Sequence, residues 1–455
     1  MKRSKMKKVM SLVLAGAMTL CLTACGSKGE ENTSPAASAE NSTVQSQEES
    51  AGAPGEVSYE GKEITVWISS GAEDDIYREM FDSIEAELGV TIVDEYYAQD
   101  EVDSKMKTSQ IAGDMPDAVI IDYLFIPNYY EAGLIAELDD YISTEITDDF
   151  LPSVLSECTY NDSIISVAQF ESGLAFWANK EMLENAGVRI PESYTDAWDK
   201  EEFEDALAKL KESGVEYPLY VRQNKPSTEY YTWMPFVASF GGDYMNRETG
   251  LCTGTLDSEE TIQAFEYLSW LFEMGYCDPN CDYDDSFPKG ENALALYGHS
   301  KYQDYSAGVG EDNLILVPLP DMGNGVYTCS GSTVMVMTTG AQEKGVDDAA
   351  WAVLEKAVSP EYITMVVEVN GAIPARLSAM DAIEEYQEGG KLYLYREQLE
   401  AGISFMRPYT CAHMTIYDAV TTVISDIYAG ADAEEELHSA AEYVDEIIME
   451  NGWNN

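Results

Sequence analysis

The sequence predicts an α/β fold organised into two domains. Short apolar runs typical of strands alternate with longer amphipathic runs typical of helices from residue 64 onward. About 395 residues follow position 60, which is more than a single hydrophobic core usually organises. The chain also contains 30 Tyr, 12 Phe and 7 Trp, too many aromatic residues for an unstructured acidic chain. We therefore expect a folded α/β body that begins near residue 60.

The N-terminus has the pattern of an export signal. A basic start is followed by the apolar segment 9–22, which is shorter than a membrane-spanning helix needs. The segment ends in Leu22-Thr-Ala-Cys25-Gly26, which resembles the lipobox of bacterial lipoproteins. In that family the peptide is cut before the cysteine, and the thiol receives a diacylglycerol. The resemblance implies a signal peptide over 1–24 and a lipid anchor on Cys25; an ordinary secretory signal is the alternative.

A polar tether is predicted over residues 25–59. This stretch is nearly free of large apolar residues, so it cannot bury a core, and it separates the folded body from the membrane. The chain has 26 Lys+Arg and 83 Asp+Glu, a formal charge of −57. Removing the signal takes away five basic residues, which leaves 21 against 83, or −62. Such a charge repels nucleic acid and excludes it as a partner.

The start of the folded body carries a β-α-β-α-β pattern. Ile76, Met80, Ile84 and Leu88 form a stripe at four-residue spacing, and a glycine follows as a helix stop. The predicted strands here are 64–67, 90–97 and 118–121, and the predicted helices are 75–88 and 102–112. This order favours a largely parallel sheet with helices on both faces. Later segments extend the pattern, with strands at 164–168, 173–178, 314–317 and 333–338 and helices at 200–212, 259–274, 349–358 and 433–449.

The cysteines and acidic residues predict no metal or cofactor. Cys277 and Cys281 are spaced so that they could form a disulfide or remain as thiols, and the sequence leaves both open. No second Cys or His pair stands at zinc-ligand spacing. Segment 278–284 places oxygens at alternate positions like a calcium loop, but Tyr283 occupies the position that requires glycine. We expect no metal site and no cofactor.

Six sequence landmarks occur in an order known from one family. They are Glu63-Ile-Thr-Val-Trp67, Gly113-Asp-Met-Pro-Asp117, Ala132-Gly-Leu-Ile-Ala-Glu-Leu-Asp139, Trp177-Ala-Asn-Lys180 with a following Gly187 and Pro191, Phe240-Gly-Gly-Asp243, and Gly371-Ala-Ile-Pro-Ala-Arg376. Together they resemble the family 1 extracellular solute-binding proteins, the maltose-binding-protein-like receptors of ABC importers. Ala178 departs from the family, which usually has Tyr there.

The resemblance implies a two-lobed periplasmic-binding-protein-like fold. Each lobe is expected to be a mainly parallel sheet flanked by helices, with the ligand cleft between the lobes. Lobe 1 is expected over 60–169 and 327–375, and lobe 2 over 170–326 and 376–455. Hinge closure would capture a mono- or oligosaccharide for delivery to an ABC permease. The protein would be a monomer, not an enzyme, lipid-anchored on the extracellular face of a Gram-positive-type membrane.

Two other functions remain open from the sequence. A surface-anchored glycoside hydrolase would also need aromatic residues and paired carboxylates. Against it, the chain has no phosphate loop, no His-Glu-x-x-His and no Gly-x-Ser-x-Gly, and it has only three histidines. A receptor that serves a membrane sensor kinase cannot be separated from an import receptor by sequence.

Ligand contacts are expected where predicted strands end at the crevice between the lobes. Sugars require flat aromatic rings and polar side chains, which these positions supply. Trp67 and Trp177 lie within strands and are interpreted as core, and Arg376 could instead bridge an acidic neighbour. The candidates are Ser69, Ser70, Glu73, Asp122, Tyr123, Gln169, Glu171, Tyr230, Tyr231, Trp233, His299, Tyr302, Ser332 and Arg376.

Overall fold

The structure is a computed structural model that describes residues 59–71, 73–222, 225–279, 281 and 285–454. The predicted signal peptide, lipidation site and tether, apart from Tyr59, lie outside the described residues. So does most of the acidic segment after Pro279. Within the described part of the chain, no helix has the length and apolar character needed to cross a membrane.

Strands are present at each of the predicted positions, together with two-residue strands that the sequence did not predict. They are β1 (Glu63–Ser69), β2 (Thr91–Tyr97), β3 (Ala118–Asp122), β4 (Thr159–Tyr160), β5 (Ser163–Ile164), β6 (Val167–Ala168), β7 (Phe170–Glu171), β8 (Leu174–Asn179), β9 (Leu219–Tyr220), β10 (Leu294–Gly298), β11 (Leu314–Val317), β12 (Thr328–Cys329), β13 (Thr333–Met337), β14 (Ile373–Pro374) and β15 (Ser404–Phe405). The expected single strand at 164–168 is instead two short strands, because β5 pairs with β4 and β6 pairs with β13.

The helices surround these strands. They are α1 (Asp74–Leu88), α2 (Gln99–Ala112), α3 (Ile126–Glu131), α4 (Thr144–Asp149), α5 (Pro152–Cys158), α6 (Lys180–Ala186), α7 (Lys200–Glu212), α8 (Pro226–Thr232), α9 (Met234–Phe240), α10 (Glu259–Glu273), α11 (Tyr302–Val309), α12 (Thr339–Lys344), α13 (Asp347–Ala357), α14 (Pro360–Asn370), α15 (Leu377–Met380), α16 (Tyr393–Glu400), α17 (His413–Tyr428) and α18 (Ala433–Asn451). Short 3-10 helices lie at Tyr123–Phe125, Tyr194–Asp196, His299–Lys301 and Glu384–Tyr386.

Local sequence explains the clearest of these helices. In α1, Met80 and Ile84 from the predicted stripe are fully buried, and Gly89 ends the helix in the left-handed conformation. In α7, Asp199 and Glu202 form a capping box in which each side chain accepts a hydrogen bond from the other residue's backbone N–H. Such signals fix helix ends locally, so the predicted bounds of α7 agree with the structure.

Two sheets organise the body. The first has the strand order β2-β1-β3-β13-β6, and the second has the order β11-β8-β10-β9. We call the part built around the first sheet lobe 1 and the part built around the second sheet lobe 2. The expected lobe boundaries place every strand of each sheet in its own lobe, and the boundaries themselves stay a prediction.

Each sheet is mainly parallel in strand direction, as expected, and has one strand that runs against the others, β13 in lobe 1 and β8 in lobe 2. In lobe 1, β1 is parallel to β2 and β3, but β13 is antiparallel to both β3 and β6. In lobe 2, β8 is antiparallel to β10 and β11, and the β9–β10 pair is parallel. β13 runs against its neighbours because the chain enters it from lobe 2, so its direction is not set by a local β-α-β connection.

Short strand pairs accompany the passages of the chain between the sheets. β7 follows the first sheet in the chain, leads into β8 of the second, and pairs with β14. β12 follows the second sheet, leads into β13 of the first, and pairs with β15. Segment 330–332 is therefore a crossover between the lobes. These connections place several polar side chains next to one another at the junction.

Candidate functional site

A cavity of about 670 Å³ lies where the two lobes face each other. Lobe 1 contributes one wall, formed by Gln99, Asp100, Asp103, Asp122, Leu124 and Phe125. The opposite wall is formed by Lys225, Thr228, Arg407, His413, Met414 and Tyr417. We call this space the interlobe cavity.

The lobe 1 wall stands at the carboxyl ends of parallel strands. Asp122 is the last residue of β3. Gln99 is the first residue of α2, and Ala98 alone separates it from β2. The Asp122 carboxylate accepts a hydrogen bond from the backbone N–H of Leu124 at 3.0 Å, which starts the 3-10 helix there. Because β1, β2 and β3 are parallel, their ends meet along one edge, the usual ligand position in open α/β sheets.

Arg407 is the central side chain of the junction. The residue is 9% exposed, and its guanidinium carbon lies 5.2 Å from the ring centre of Tyr123 and 5.1 Å from that of Tyr231. Tyr123 belongs to lobe 1, and Tyr231 lies on α8 of lobe 2. Arg407 therefore lies close to an aromatic ring from each lobe, a cation–π arrangement.

The guanidinium has little hydrogen bonding. Its Nη2 is 3.6 Å from Asp122 Oδ2, longer than a hydrogen bond. Its Nε has no hydrogen-bond partner in the described chain. Burial disfavours the charge, but Asp122, followed by Tyr123, holds the pKa of Arg407 well above its ordinary value. A charged donor group is thus presented at the cavity wall beside a carboxylate acceptor.

Two buried carboxyl groups lie next to this arrangement. Glu171 accepts hydrogen bonds from the N–H groups of Gly331 at 2.7 Å and Ser172 at 2.8 Å. Glu157 accepts one from Ser332 N–H at 3.0 Å. The Ser332 carbonyl in turn accepts the N–H of Tyr123 at 3.1 Å. The acids thereby fix the crossover segment 330–332, and a Cβ added at Gly331 would lie 2.4 Å from Arg407 Nη2.

The structure brings five of the predicted site residues together at the junction, three of them against Arg407 and two along the 330–332 crossover and its carboxyl partners. They are Asp122, Tyr123, Glu171, Tyr231 and Ser332. These residues come from β3, the 3-10 helix that follows it, β7, α8 and the 330–332 crossover, so only the tertiary fold joins them.

The candidates near β1 and β6 do not line the interlobe cavity, and three of them form hydrogen bonds elsewhere in the protein. The Ser70 hydroxyl donates to Asp74 at 2.5 Å, and Glu73 accepts from Asn370 at 2.9 Å. Ser69 is the half-buried last residue of β1. Gln169 is buried and donates to the Ala357 carbonyl at 2.6 Å. Gln169 is therefore a core residue, unlike the sequence-based expectation.

Tyr230 and Trp233 were expected as stacking surfaces, and the structure places them in the lobe 2 core. Both are 0% exposed. Trp233 stacks on Phe236 with ring centres 4.3 Å apart, and its indole N–H donates to the Ala264 carbonyl at 3.2 Å. Tyr230 stacks on Tyr244 at 5.2 Å. The physical reason is helical geometry, since positions three apart share one face and this face of α8 points inward.

The remaining candidates are separate from the interlobe cavity. His299 is buried, burial lowers its pKa to about 4, and its ring packs edge-on against Phe170. Tyr302 stacks on Trp177 and lines a different cavity of about 250 Å³. Arg376 pairs with Asp149 at 2.7 Å and donates to the Val358 carbonyl at 3.1 Å. Arg376 is thus bound to Asp149 and Val358 of lobe 1, as the alternative interpretation proposed.

Sequence reasoning missed Arg407, Glu157, Lys225 and Tyr417. Arg407 did leave a signal, because it is a cation within the apolar run Phe405-Met-Arg-Pro-Tyr409 of a very acidic chain. Glu157 left none, since one carboxylate among 83 acidic residues cannot be singled out.

The comparisons with known proteins agree with this architecture. Residues 79–392 match the model of the family described as bacterial extracellular solute-binding protein. The chain belongs to this family, so the predicted family is confirmed, and the family is one of solute-binding proteins rather than enzymes. Among curated relatives, a putative binding protein of Brucella abortus is 21% identical over 389 residues, covering 82% of this chain and 89% of the relative.

Solved structures share the fold. The GacH receptor of Streptomyces glaucescens matches with a TM-score of 0.71 and 21% identity, covering 86% of this chain and 99% of that one. The sugar-binding protein MalE of Xanthomonas citri matches with a TM-score of 0.74 and 16% identity, covering 86% and 98%. The predicted two-lobed α/β fold is confirmed.

Proposed function

We propose that this protein captures a mono- or oligosaccharide in the interlobe cavity by hinge closure and delivers it to an ABC permease. The carrying observation is the buried, charged guanidinium of Arg407, whose Nε lacks a partner in the described chain and which lies 3.6 Å from the Asp122 carboxylate. A donor fork beside an acceptor suits vicinal hydroxyl groups, which both donate and accept hydrogen bonds.

The cavity's size and lining support a carbohydrate. Its volume falls within the range of roughly 300–1,000 Å³ typical of small-molecule sites. Gln99 and Asp100 add polar groups on lobe 1, and Tyr417 adds a ring on lobe 2. Three proteins with this fold have been solved with a bound sugar. They are the S. glaucescens receptor with acarbose, a Staphylococcus aureus solute-binding protein with maltose, and a Thermotoga lettingae solute-binding protein with α-D-tagatose. We propose Arg407 and Asp122, which line the cavity, as ligand contacts, and Tyr123 and Tyr231 as the rings that position Arg407.

A thermal-shift screen against a glycan panel that includes maltotriose tests this function. We expect at least one sugar to raise the melting temperature of the wild type and to have no such effect on Arg407→Met. Stabilisation by non-carbohydrate solutes alone would overturn the carbohydrate assignment. New reducing ends during incubation would instead establish the hydrolase alternative.

A strain that lacks this gene separates an import receptor from a sensor receptor. Loss of uptake of the radiolabelled sugar from the screen is expected for an importer. Normal uptake with lost transcriptional induction by that sugar would indicate a sensor partner.

We further propose that Cys25 carries a lipid that holds the protein on the outer face of the membrane of a Gram-positive-type cell. The lipobox-like sequence and the polar stretch after it support this anchor. Expression of Cys25→Ser in such a host is expected to move the protein from the membrane fraction to the culture medium. Cys21→Ser is the matched control, since that residue lies within the signal peptide. Membrane retention of the Cys25 variant would contradict lipidation.

A further inference from the structure

His413 is the first residue of α17 and lies in the lobe 2 wall of the interlobe cavity. The residue is only 3% exposed. Tyr230 packs edge-on against its ring with the ring centres 5.6 Å apart, and Tyr417, one helical turn further along α17, lies at 6.2 Å. These two rings hold the imidazole in one position in the wall.

One ring nitrogen of His413 is bound by the protein itself. Its Nδ1 lies 3.2 Å from the carbonyl oxygen of Pro408 and 3.4 Å from the hydroxyl oxygen of Tyr230. A carbonyl oxygen only accepts hydrogen bonds, so the shorter contact requires a hydrogen atom on Nδ1. In a neutral imidazole the other nitrogen, Nε2, then carries a lone pair and is a hydrogen-bond acceptor.

The surroundings of His413 keep the imidazole neutral and its Nε2 unused. The ring stands at the N-terminus of α17, where the helix dipole disfavours a positive charge. Burial, followed by the positive charge of Arg407, lowers the pKa of His413 to about 3. Nε2 makes no hydrogen bond to any described residue, and it is not completely buried, which agrees with the position of His413 in the cavity wall. The wall therefore contains an uncharged acceptor that the protein leaves free.

Segment 407–413 gives the lobe 2 wall both kinds of hydrogen-bonding group. Arg407 is a charged donor, His413 is a neutral acceptor, and the carbonyl group of Pro408 between them fixes the tautomer of the imidazole. A sugar hydroxyl group can donate one hydrogen bond and accept others, so a ligand with several hydroxyl groups can use Arg407 and His413 together. An acceptor without charge also adds nothing to the attraction of cations by the carboxylates of the lobe 1 wall.

We propose that Nε2 of His413 accepts a hydrogen bond from a hydroxyl group of the bound sugar and thereby determines which sugars the cavity binds. This inference rests on the proposed carbohydrate capture and adds a specificity-determining contact to it. A sugar in which that hydroxyl group is missing or methylated has no hydrogen to donate, so it leaves Nε2 without a partner in the closed cavity. Such a sugar is bound more weakly than the parent sugar.

Two substitutions separate this role from a purely structural one. The amide nitrogen of His413→Asn can replace Nδ1 and keep the bond to Pro408, but nothing replaces Nε2. The amide oxygen of His413→Gln can replace Nε2, but the bond to Pro408 is lost. For maltotriose, or the sugar that the glycan screen identifies instead, Kd is expected to rise roughly 10-fold in His413→Asn and less than about 3-fold in His413→Gln. The reverse order, or equal Kd values for the two variants, would overturn the proposal. His438→Asn is the matched control, because that exposed ring bonds Asp257 and should leave Kd unchanged.

Nitrogen-15 NMR of the wild type tests the tautomer without any sugar, so its failure is distinguishable from failure of the carbohydrate assignment. The chain has three histidines, and His299→Gln and His438→Gln assign the His413 signals by elimination even if neither His413 variant folds. Long-range proton–nitrogen spectra at neutral pH are expected to show a protonated Nδ1 and a bare Nε2. Adding the same sugar should shift the Nε2 signal toward that of a protonated nitrogen. A hydrogen on Nε2, or an Nε2 signal that a bound sugar does not shift, would overturn the proposal while the carbohydrate assignment stands.

Discussion

Arg376 and Arg407 are two buried arginines in very different surroundings. They are 8% and 9% exposed, and both belong to segments that connect the lobes. Arg376 donates to the Asp149 carboxylate at 2.7 Å and to a backbone carbonyl at 3.1 Å. Arg407 has two aromatic neighbours, a carboxylate at 3.6 Å and an Nε without a partner in the described chain.

The difference separates a structural charge from one available to a ligand. A guanidinium whose donors are already used by the protein gains nothing from a solute, whereas unused buried donors gain a charge-assisted hydrogen bond. Burial alone, which is nearly equal for the two residues, does not distinguish them. The partners of each donor atom do.

The largest expected effect is on stability, at Arg376. Arg376→Met leaves the Asp149 carboxylate without its cation, and breaking a buried pair in this way typically costs about 3–5 kcal/mol of unfolding free energy. Asp149 is partly exposed, so we expect the lower end of that range. Urea unfolding measures the loss, and the double variant with Asp149→Asn should recover part of it. Weakened sugar binding without lost stability would contradict the structural role.

Arg407→Met should have the reverse effect. Losing hydrogen bonds from a charged donor is expected to weaken sugar binding by about 2–3 kcal/mol, roughly 30- to 150-fold in Kd. Unfolding free energy should fall by less than for Arg376→Met, because Arg407 loses two cation–π contacts of about 1 kcal/mol each and a long ion pair at 3.6 Å. Isothermal titration calorimetry with the sugar from the glycan screen measures the change. A stability loss as large as that of Arg376→Met, with unchanged Kd, would remove the contrast between the two residues.

A smaller effect is expected from the ring of Tyr231. Tyr231→Leu removes one cation–π contact to Arg407, worth about 1 kcal/mol, so Kd should rise roughly five-fold. Tyr231→Phe retains the ring and removes a buried hydroxyl that has no partner in the described chain, so it should bind like the wild type. Equal losses from both variants would show that the hydroxyl, and not the ring, is what binding requires.

The smallest expected effect at neutral pH concerns His413, whose charge state is influenced by Arg407 and whose contribution to stability depends on pH. Burial, followed by Arg407, lowers the pKa of His413 to about 3. The unfolded state therefore binds the proton more readily, and the His413 contribution falls as the pH drops below about 6.5. His413→Gln should flatten the acid limb of a urea-denaturation pH profile. His438→Gln is the control of opposite sign, because the hydrogen bond to Asp257 raises the pKa of the exposed His438.

The predictable part of the fold is the part that local patterns determine. The stripe of α1, the helix α7 and the apolar run of β11 each lie within one short segment, and each was located from the sequence. The direction of β13 was not predicted, because it depends on a chain that returns from lobe 2.

The site residues also divide into those that local sequence predicts and those that it does not. Asp122 and Tyr123 follow from their position after a strand, whereas the partners of Arg407 exist only once both lobes are assembled.

The position of β13 also constrains how the chain reaches its native state. β13 is Thr333–Met337 and sits between β3 and β6, so the first sheet cannot be completed until the 170–326 part of lobe 2 has been synthesised. Pairing over such sequence separations is slow, because a long loop must close before its contacts form. We expect folding to begin with the parallel β2-β1-β3 unit and to end with the insertion of β13. Until that last step the edge of β3 is unpaired, which makes the late intermediate prone to aggregation.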